Sequence, residues 1–149
     1  MTWNRLAAYR NSLVNCFETQ NYIFVHSWIP TMKKKKPHSA DKWITLTENE
    51  YMEDWRNAND VEWEDAMWGN PFAMAERSLL PDKQLVFGHW HCSAGWANTE
   101  GRSEFGVDAK WDPFIDANKK IIGIDRCTAH TGEVNVLVIE DNFINNINV

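Results

Sequence analysis

Three histidines stand where their side chains could bind a metal ion. His26 directly follows the apolar run at residues 22–25, and His89 and His91 follow the run at residues 84–87. Both runs are rich in β-branched and aromatic residues, which indicates short buried strands. Side chains at the carboxyl ends of strands in layered α/β folds converge at one edge, where ligands bind. An imidazole held there has the exposed lone pair and the rigid support that a metal ligand needs.

An ordinary structural role is the alternative for each of these histidines. A single histidine after a strand is more commonly a surface or core residue than a ligand, so His26 alone favours the structural interpretation. The pair His89 and His91 leaves both interpretations open, because a His-x-His spacing also arises by accident. His38 lies in a Lys-rich segment and is expected to be solvated. His130, near a predicted turn, is expected to be structural or close to the cleft.

The rest of the pattern predicts the elements that would position these side chains. Periodicity and capping signals indicate helices at residues 3–19, from Thr47 through Trp55, at residues 61–67 and at residues 72–80. Strand signals mark residues 22–26, 84–87, 120–125 and 133–140, the last two joined by a hairpin turn at residues 131–132. Gly88 is expected to break the second strand and turn the chain. Loops are predicted at residues 31–42 and 92–118, and the Asn-rich tail at 142–149 is expected to fray.

Composition indicates an ordinary globular protein of one domain. The chain has 149 residues, 44% hydrophobic and 24% charged, which is long enough to bury a core. Its formal net charge of −6 disfavours a nucleic-acid polymer as partner, because proteins that grip such polymers are normally basic. The basic run at residues 33–36 is interpreted as a solvated loop, with a phosphate or lipid patch as the alternative.

The sequence predicts neither membrane insertion nor secretion. No apolar run reaches the ~20 residues that span a bilayer, and the first residues lack the apolar core of a signal peptide. The three cysteines, Cys16, Cys92 and Cys127, have no paired spacing. Reduced thiols in a cytoplasmic setting are therefore expected.

Four segments, in order, resemble motifs of the calcineurin-like metallophosphoesterases, in their serine/threonine protein phosphatase-like branch. Residues 86–91, Val-Phe-Gly-His-Trp-His, resemble the family's Gly-His-x-His motif, and residues 23–30 resemble the strand and loop that carry the preceding metal-binding histidine. Residues 122–137 resemble the closing hairpin of this branch. Residues 68–71, Trp-Gly-Asn-Pro, stand where the branch has a Trp-containing segment. Order and spacing match over residues 20–141.

The resemblance implies both a fold and a site. The fold would be α/β (α+β), the C-terminal half of a layered β-sandwich flanked by helices, with a mixed sheet and a closing hairpin. Residues 1–149 would form a single partial domain. The site would hold two divalent ions (Mn, Fe, Zn or Mg), with His26 and His89 on one ion and His91 on the other. Such ions clamp phosphate oxygens and activate a water, so a phosphorylated protein, nucleotide or small phosphoester is the expected partner.

The chain lacks the family's other motifs. The segments Gly-Asp-x-His-Gly, Gly-Asp-x-x-Asp-Arg-Gly and Gly-Asn-His-Glu/Asp, which supply the bridging aspartate and the acid for the leaving group, do not occur. Three imidazoles without a bridging carboxylate would leave two neighbouring dications to repel each other, so no catalytic residue is assigned. Asp54, Glu64 and Asp65 are expected on solvated helical faces. The candidates for holding phosphate are Arg56, Arg102 and Arg126.

Three functions fit these features. The first is a metal-dependent phosphoester hydrolase, weak or inactive as this chain alone because the first half of the family's site is missing. The second is a non-catalytic fragment that binds a metal or a partner, and the third is a structural remnant. Half of a sandwich would expose an apolar sheet face, which predicts self-association or pairing with a separate N-terminal half.

Overall fold

The computed structural model describes residues 13–36, 46–118 and 120–140. The strands there are β1 (Cys16–Glu18), β2 (Tyr22–Val25), β3 (Thr31–Lys36), β4 (Leu46–Tyr51), β5 (Gln84–His91), β6 (Phe114–Asp116) and β7 (Ile121–Asp125). The α-helices are α1 (Asp60–Met67), α2 (Pro71–Glu76), α3 (Cys92–Glu100) and α4 (Thr128–Thr131), and a 3-10 turn occupies Trp55–Asn57. None of these helices combines the length and the apolar composition needed to cross a bilayer.

A five-stranded mixed sheet organises the fold, in the order β1-β2-β5-β7-β6. The three inner strands run parallel, and each edge strand runs antiparallel to its neighbour. In the centre, Leu85 pairs with Ile23 on one side and with Ile121 on the other, and all three side chains are buried. Continuous apolar runs are typical of strands covered on both faces. The predicted α+β class and the mixed sheet are confirmed.

The edge strand β1 lies where the sequence predicts a helix at residues 3–19. β1 pairs antiparallel with β2. The Thr19 amide donates to the Tyr22 carbonyl, and the Tyr22 amide donates to the Thr19 hydroxyl, which closes the turn between the strands. The helix prediction is therefore wrong for residues 13–19, because pairing with β2 outweighs a periodicity that is only local. Residues 3–12 of that prediction lie outside the described residues.

β3 and β4 form a second, two-stranded antiparallel sheet. The sequence predicts a loop at residues 31–36 and a helix from Thr47, and both predictions are wrong here. Lys34 opposes Glu48 across the ladder, and its Nζ lies 3.2 Å from a carboxylate oxygen of Glu50. Opposite charges across a ladder stabilise strands whose residues have low strand propensity. The Lys34 side chain is exposed, as expected of a solvated basic run.

The two helices before β5 agree with their sequence signals. Asn59 begins α1 through a capping box, in which its side chain accepts from backbone amides and Glu62 accepts from the Asn59 amide. Asn70 begins α2 by accepting hydrogen bonds from two backbone amides of its first turn. The prediction of a helix at residues 72–80 ends too late, because the chain leaves the helix at Arg77 and Ser78 has a left-handed φ of 59°.

α3 replaces the first part of the loop predicted at residues 92–118, and β6 replaces another part. The helix begins directly after β5 and packs on β5, β6 and β7. Residues 92–95 are all buried, so α3 lacks the single apolar stripe by which sequence periodicity identifies a helix. Gly95 lies so close to the sheet that an added Cβ would be 2.6 Å from two ring carbons of Phe114 and 2.8 Å from one of Phe72.

The strand and hairpin predicted at residues 120–140 are only half correct. β7 is confirmed, but the short helix α4 follows it, and residues 133–140 belong to no strand. A strand is defined by ladder hydrogen bonds, and within the described residues this segment has no neighbouring strand to pair with. The hairpin that closes the sheet instead joins β6 to β7. The tail at 142–149 lies outside the described residues.

Glu18 connects the edge strand β1 to the rest of the fold. Its carboxylate accepts hydrogen bonds from Arg56 Nε at 2.6 Å and from Lys83 Nζ at 2.8 Å. Burial alone would raise the pKa of Glu18, but the hydrogen bonds from the two cations outweigh burial and hold the pKa below its ordinary value. The folded state therefore prefers the ionised carboxylate.

The close approach of α3 to the sheet predicts that Gly95→Ala destabilises the fold. Overpacking against two aromatic rings costs about 1–3 kcal/mol. The higher helix propensity of alanine stabilises the helix by at most about 1 kcal/mol. A net loss of about 1–2 kcal/mol in the free energy of unfolding is expected, measured by urea denaturation. Gly88→Ala is the matched control, because its Cβ would meet only the His26 carbonyl oxygen at an ordinary 3.7 Å. Equal stability of the two variants would contradict the packing.

The Glu18 ion pairs predict a loss of stability in acid. An unfolded glutamate takes up its proton at about pH 4.3, and folded Glu18 takes up its proton at a lower pH. The stabilisation is complete above the unfolded pKa and is lost as pH falls through the folded pKa. Glu18→Gln should remove about 1 kcal/mol at neutral pH, since Arg56 is partly exposed and solvent screens the pair. It should also flatten the acid limb of a plot of unfolding free energy against pH.

Glu100→Gln is the control for this measurement. Glu100 also pairs with two cations, Arg102 and Lys110, but at an exposed position. Exposed pairs contribute little. An acid limb that changes as much in this variant as in Glu18→Gln would contradict a special role for Glu18.

Candidate metal centre

His26 and His89 come together because their strands are neighbours. β2 and β5 pair in parallel, with Val25 opposite Phe87, so both strands point towards the same edge of the sheet. One step further, the Gly88 amide donates a 3.1 Å hydrogen bond to the His26 carbonyl. The centroids of the two imidazole rings lie 4.7 Å apart. The structure thus joins two of the three histidines that the sequence selects, and we call them the histidine pair.

The backbone of β5 is irregular at His89. The pairing of β5 with β7 shifts register between Phe87 and His91, and His89 has a φ of 60°. Residues with a Cβ seldom occupy this left-handed region, and bulges beside sites redirect side chains. The prediction that Gly88 breaks the strand and turns the chain is wrong, because β5 continues to His91 and the left-handed residue is His89 itself.

The surroundings of His89 favour its neutral form. Burial lowers the pKa of His89, and the neighbouring His26 lowers it further; the Asp125 carboxylate raises it, and His91 lowers it slightly more. The net shift is downward from the ordinary value. At neutral pH the ring therefore keeps the lone pair that a metal ion would take. Because His26 is exposed, the pair is open to solvent.

The loop between α1 and α2 borders the histidine pair. The Trp68 ring meets the His89 ring edge-on, with centroids 5.1 Å apart. The Ser27 hydroxyl donates to the Gly69 carbonyl, which ties this loop to the end of β2. A Cβ at Gly69 would lie 3.1 Å from the Cβ of Trp28, so the close approach favours glycine. Residues 68–71 are thus neighbours of the pair in space.

His91 has a different environment from the pair. Its ring contacts Phe105 and Trp111, at centroid distances of 5.6 and 6.2 Å. His130 contacts the same two rings, at centroid distances of 5.7 and 5.6 Å. His130 therefore lies close to His91, which agrees with one of the two roles expected for it, a position near the cleft. The buried Nδ1 of His91 has no hydrogen-bond partner in the described part of the chain. The Oε1 of Glu104 lies 3.9 Å from it, beyond hydrogen-bond reach.

Asp125 is a carboxylate at the same sheet edge that the sequence analysis did not select. It ends β7, opposite His91 in the register with β5. Its Oδ1 accepts a 2.7 Å hydrogen bond from the Cys127 amide, and this bond fixes the carboxylate beside the turn that leads into α4. The available signal was its position at the end of a predicted strand, which is the rule that selects His26. Phe105 and Trp111 gave no such signal, because they lie in a segment without periodicity.

The candidate arginines all have carboxylate partners. Arg56 pairs with Glu18 and Asp82, and Arg102 pairs with Glu100. Arg126 follows Asp125 directly and is the nearest of the three to the site in sequence; its partners are Asp112, Glu133 and Asn135. The acidic residues expected on solvated faces, Asp54, Glu64 and Asp65, are exposed.

The donor set fits part of a metal site. Among the residues described, no three histidine, cysteine, aspartate or glutamate side chains are arranged to hold a metal ion. The histidine pair alone supplies two imidazoles, which suit zinc or iron. A divalent ion needs four or more ligands. The pair therefore fits as a partial site, to which water, substrate or other protein groups would add.

Comparisons of the chain with protein-family models, with curated proteins and with solved structures give no match. The resemblance to calcineurin-like metallophosphoesterases therefore stays a prediction drawn from the four motifs. The dinuclear site, the phosphorylated substrate and the cytoplasmic setting stay predictions with it. The α+β fold and the converging histidine pair are properties of the structure itself.

The environment of His89 predicts how its pKa responds to its neighbours. In the metal-free chain, nuclear magnetic resonance titration should find the His89 pKa below the ordinary value of about 6.5. His26→Asn should move this pKa up, because the neighbouring imidazole that lowers it is removed, and Asp125→Asn should move it down, because the carboxylate that raises it is removed. His130→Asn should leave it unchanged. Shifts in the opposite directions would contradict the geometry of the site.

The lowered pKa of His89 also affects stability. As the pH falls, an unfolded histidine takes up its proton at about pH 6.5, whereas folded His89 takes up its proton only at a lower pH. As pH falls through the pKa of the unfolded histidine, the free energy of unfolding therefore decreases, until the pH is below the folded pKa. Well above the pKa of the unfolded histidine, this side chain is neutral in both the folded and the unfolded state, so it contributes no pH dependence there. His89→Asn should reduce this slope in urea denaturation between neutral and mildly acid pH, and an unchanged slope would contradict the shift.

Proposed function

We propose that this chain carries part of the metal site of a metal-dependent phosphoester hydrolase, with His26 and His89 on one divalent ion and His91 on a second. The observation that supports the proposal is the convergence of the His26 and His89 rings, 4.7 Å between centroids, at the ends of adjacent parallel strands. Layered α/β folds bind ligands at such an edge. The motif at residues 86–91 suggests the reaction class.

The chain's own residues would contribute binding and orientation. His26 and His89 would hold an ion, and because they lie at the ends of two hydrogen-bonded strands, the sheet sets their spacing. The lowered pKa of His89 keeps its ring neutral and able to bind metal. Trp68 lies edge-on against one side of the His89 ring. The bound ions would supply polarisation of the phosphate and an activated water.

Completing the site requires groups beyond the histidine pair. Two imidazoles leave at least two ligand positions of a divalent ion unfilled. A polypeptide carrying the aspartates and asparagine of the family's other motifs would supply them and would offset the repulsion between two dications. The proposal therefore includes weak or undetectable hydrolysis by the chain alone.

A non-catalytic metal-binding fragment is the second candidate function. It is favoured by the finding that no third ligand joins the pair among the described side chains. It is also favoured by the carboxylate partners of Arg56, Arg102 and Arg126, which would compete with a substrate phosphate. Metal binding is common to both functions, and turnover separates them.

The histidine pair predicts a specific loss of metal binding. His26→Ala or His89→Ala should weaken Mn²⁺ and Zn²⁺ binding by at least about tenfold, because each removes one of the two converging imidazoles. Isothermal titration calorimetry of the metal-free chain measures this, and a metal-dependent rise in Tm reports the same binding. His130→Ala leaves the pair intact and should bind as the unsubstituted chain does. Equal affinity in all of these variants would refute the assignment.

Hydrolysis distinguishes the two candidates. Turnover of an aryl phosphate in the presence of Mn²⁺ that disappears in His89→Ala would support the hydrolase. Binding of metal without turnover, even after a polypeptide that carries the family's other motifs is added, would support the non-catalytic fragment. Turnover that persists unchanged in the double variant His26→Ala, His89→Ala would contradict a role for the pair in either function.

A further inference from the structure

Residues 133–140 have the composition of a strand but no strand partner among the described residues. The segment reads Glu-Val-Asn-Val-Leu-Val-Ile-Glu, with four apolar residues in a row at 136–139 and Val134 on the other side of Asn135. In the described part of the chain, no backbone amide or carbonyl of residues 134–140 takes part in a backbone hydrogen bond. Its polar backbone groups are thus available to another strand. We call residues 133–140 the valine segment.

Exposure along the valine segment alternates with the period of a strand. Val134, Val136 and Val138 are exposed by 69%, 77% and 83%, whereas the residues between them are half-buried. A period of two places these three valines on one face. Three neighbouring β-branched side chains in water, next to an unpaired backbone, are unusual for an isolated chain, because exposed strands of this kind template pairing.

The valine segment is anchored to the body of the protein. The Asn135 side chain donates a 2.8 Å hydrogen bond to the Trp111 carbonyl and accepts one of 3.2 Å from Arg126. At the first residue of the segment, the Glu133 carbonyl accepts hydrogen bonds from the hydroxyls of Thr128 and Thr131. The segment is therefore presented in a defined place, which lowers the ordering cost of pairing.

The sequence of the valine segment is self-complementary in an antiparallel register. With Val136 opposite Val136 of a second copy, Val134 faces Val138, so each exposed valine faces a valine, and the two glutamates do not face each other. A shift by one residue in either direction pairs the exposed valines with residues of the other face, and in one direction it also brings Glu133 opposite Glu140, both unfavourable. A shift by two brings Val134 opposite Glu140 in one direction and Val138 opposite Gly132, outside the segment, in the other. The register centred on Val136 is thus the one that places all three exposed valines opposite valines and keeps the glutamates apart.

We propose that the valine segment pairs antiparallel with the same segment of a second copy of this chain, centred on Val136. The interaction is isologous, as expected of a twofold dimer. A single pair of short strands buries less than the about 1,200 Å² of a standard interface. Association is therefore weak and depends on concentration.

Cross-linking tests the register. Directly opposed residues in an antiparallel pair have Cα atoms about 4.5–5.5 Å apart, within the range of a disulfide. Val136→Cys should give a disulfide-linked dimer under mild oxidation. Val138→Cys should not, because the two introduced thiols would lie about 13 Å apart along the strands. The double variant Val134→Cys, Val138→Cys should link again.

Val107→Cys is the matched control for cross-linking. Val107 is fully exposed but lies away from the valine segment in sequence. It also controls for the native thiols Cys16, Cys92 and Cys127, which all variants share. Cross-linking of Val107→Cys or Val138→Cys as efficient as that of Val136→Cys would overturn the register.

Sedimentation of the full chain tests the association itself. From micromolar to near-millimolar concentration, the mean mass should rise towards that of a dimer. Val136→Asp should keep the chain monomeric, because two carboxylates would face each other at the centre of the pair. Val107→Asp carries the same change in charge and should still associate. Circular dichroism and thermal unfolding of both variants show whether they remain folded.

Two results would overturn the proposal. The first is that the unsubstituted chain stays monomeric over the whole concentration range, in which case any partner of the valine segment would be a strand of a different protein. The other is association that Val136→Asp and Val107→Asp weaken equally while both stay folded. Neither result bears on the metal site, because His26 and His89 are carried by β2 and β5 and are tested by metal binding.

Discussion

The parallel pairing of β2 with β5 is the interaction on which the rest of this structure depends. It joins two apolar runs separated by about sixty residues of sequence, and it places Ile23, Leu85 and Phe87 in one buried layer. The same ladder ends with the hydrogen bond from Gly88 to the His26 carbonyl. The hydrophobic core and the histidine pair are therefore consequences of a single register.

Tight packing behind the sheet supports the irregular end of β5. α3 follows His91 without a connecting loop, and Gly95 allows it to lie against the rings of Phe72 and Phe114. β5 is thus held by β2 and β7 on its sides and by α3 at its end. A left-handed residue such as His89 persists where the surrounding structure determines the backbone. The rigid surroundings give the pair a fixed geometry, which a metal ligand requires.

Part of the fold and of the site could be predicted from short-range signals. The runs around Ile23 and Leu85 predicted two strands, and the stretches at residues 61–67 and 72–80 predicted α1 and most of α2. His26 and His89 followed from their places after those strands. α3 could not be predicted, because all of its first residues are buried and no apolar stripe appears. β3 and β4 could not be predicted either, because charge pairing across the hairpin overrides the low strand propensity of lysine.

By itself, the sequence determined which segments are apolar enough to become inner strands, where the two helices before β5 lie, and which side chains could bind a metal. These properties depend on neighbouring residues, so local chemistry is sufficient to define them. Only the tertiary structure decided that His89 adopts a left-handed backbone and that His91 packs with Phe105 and Trp111 instead of joining the pair. It also decided that residues 133–140 pair with no strand in the described part of the chain. Each of these depends on contacts between segments distant in the chain, and a ladder or a ring contact exists only when both sides are in place.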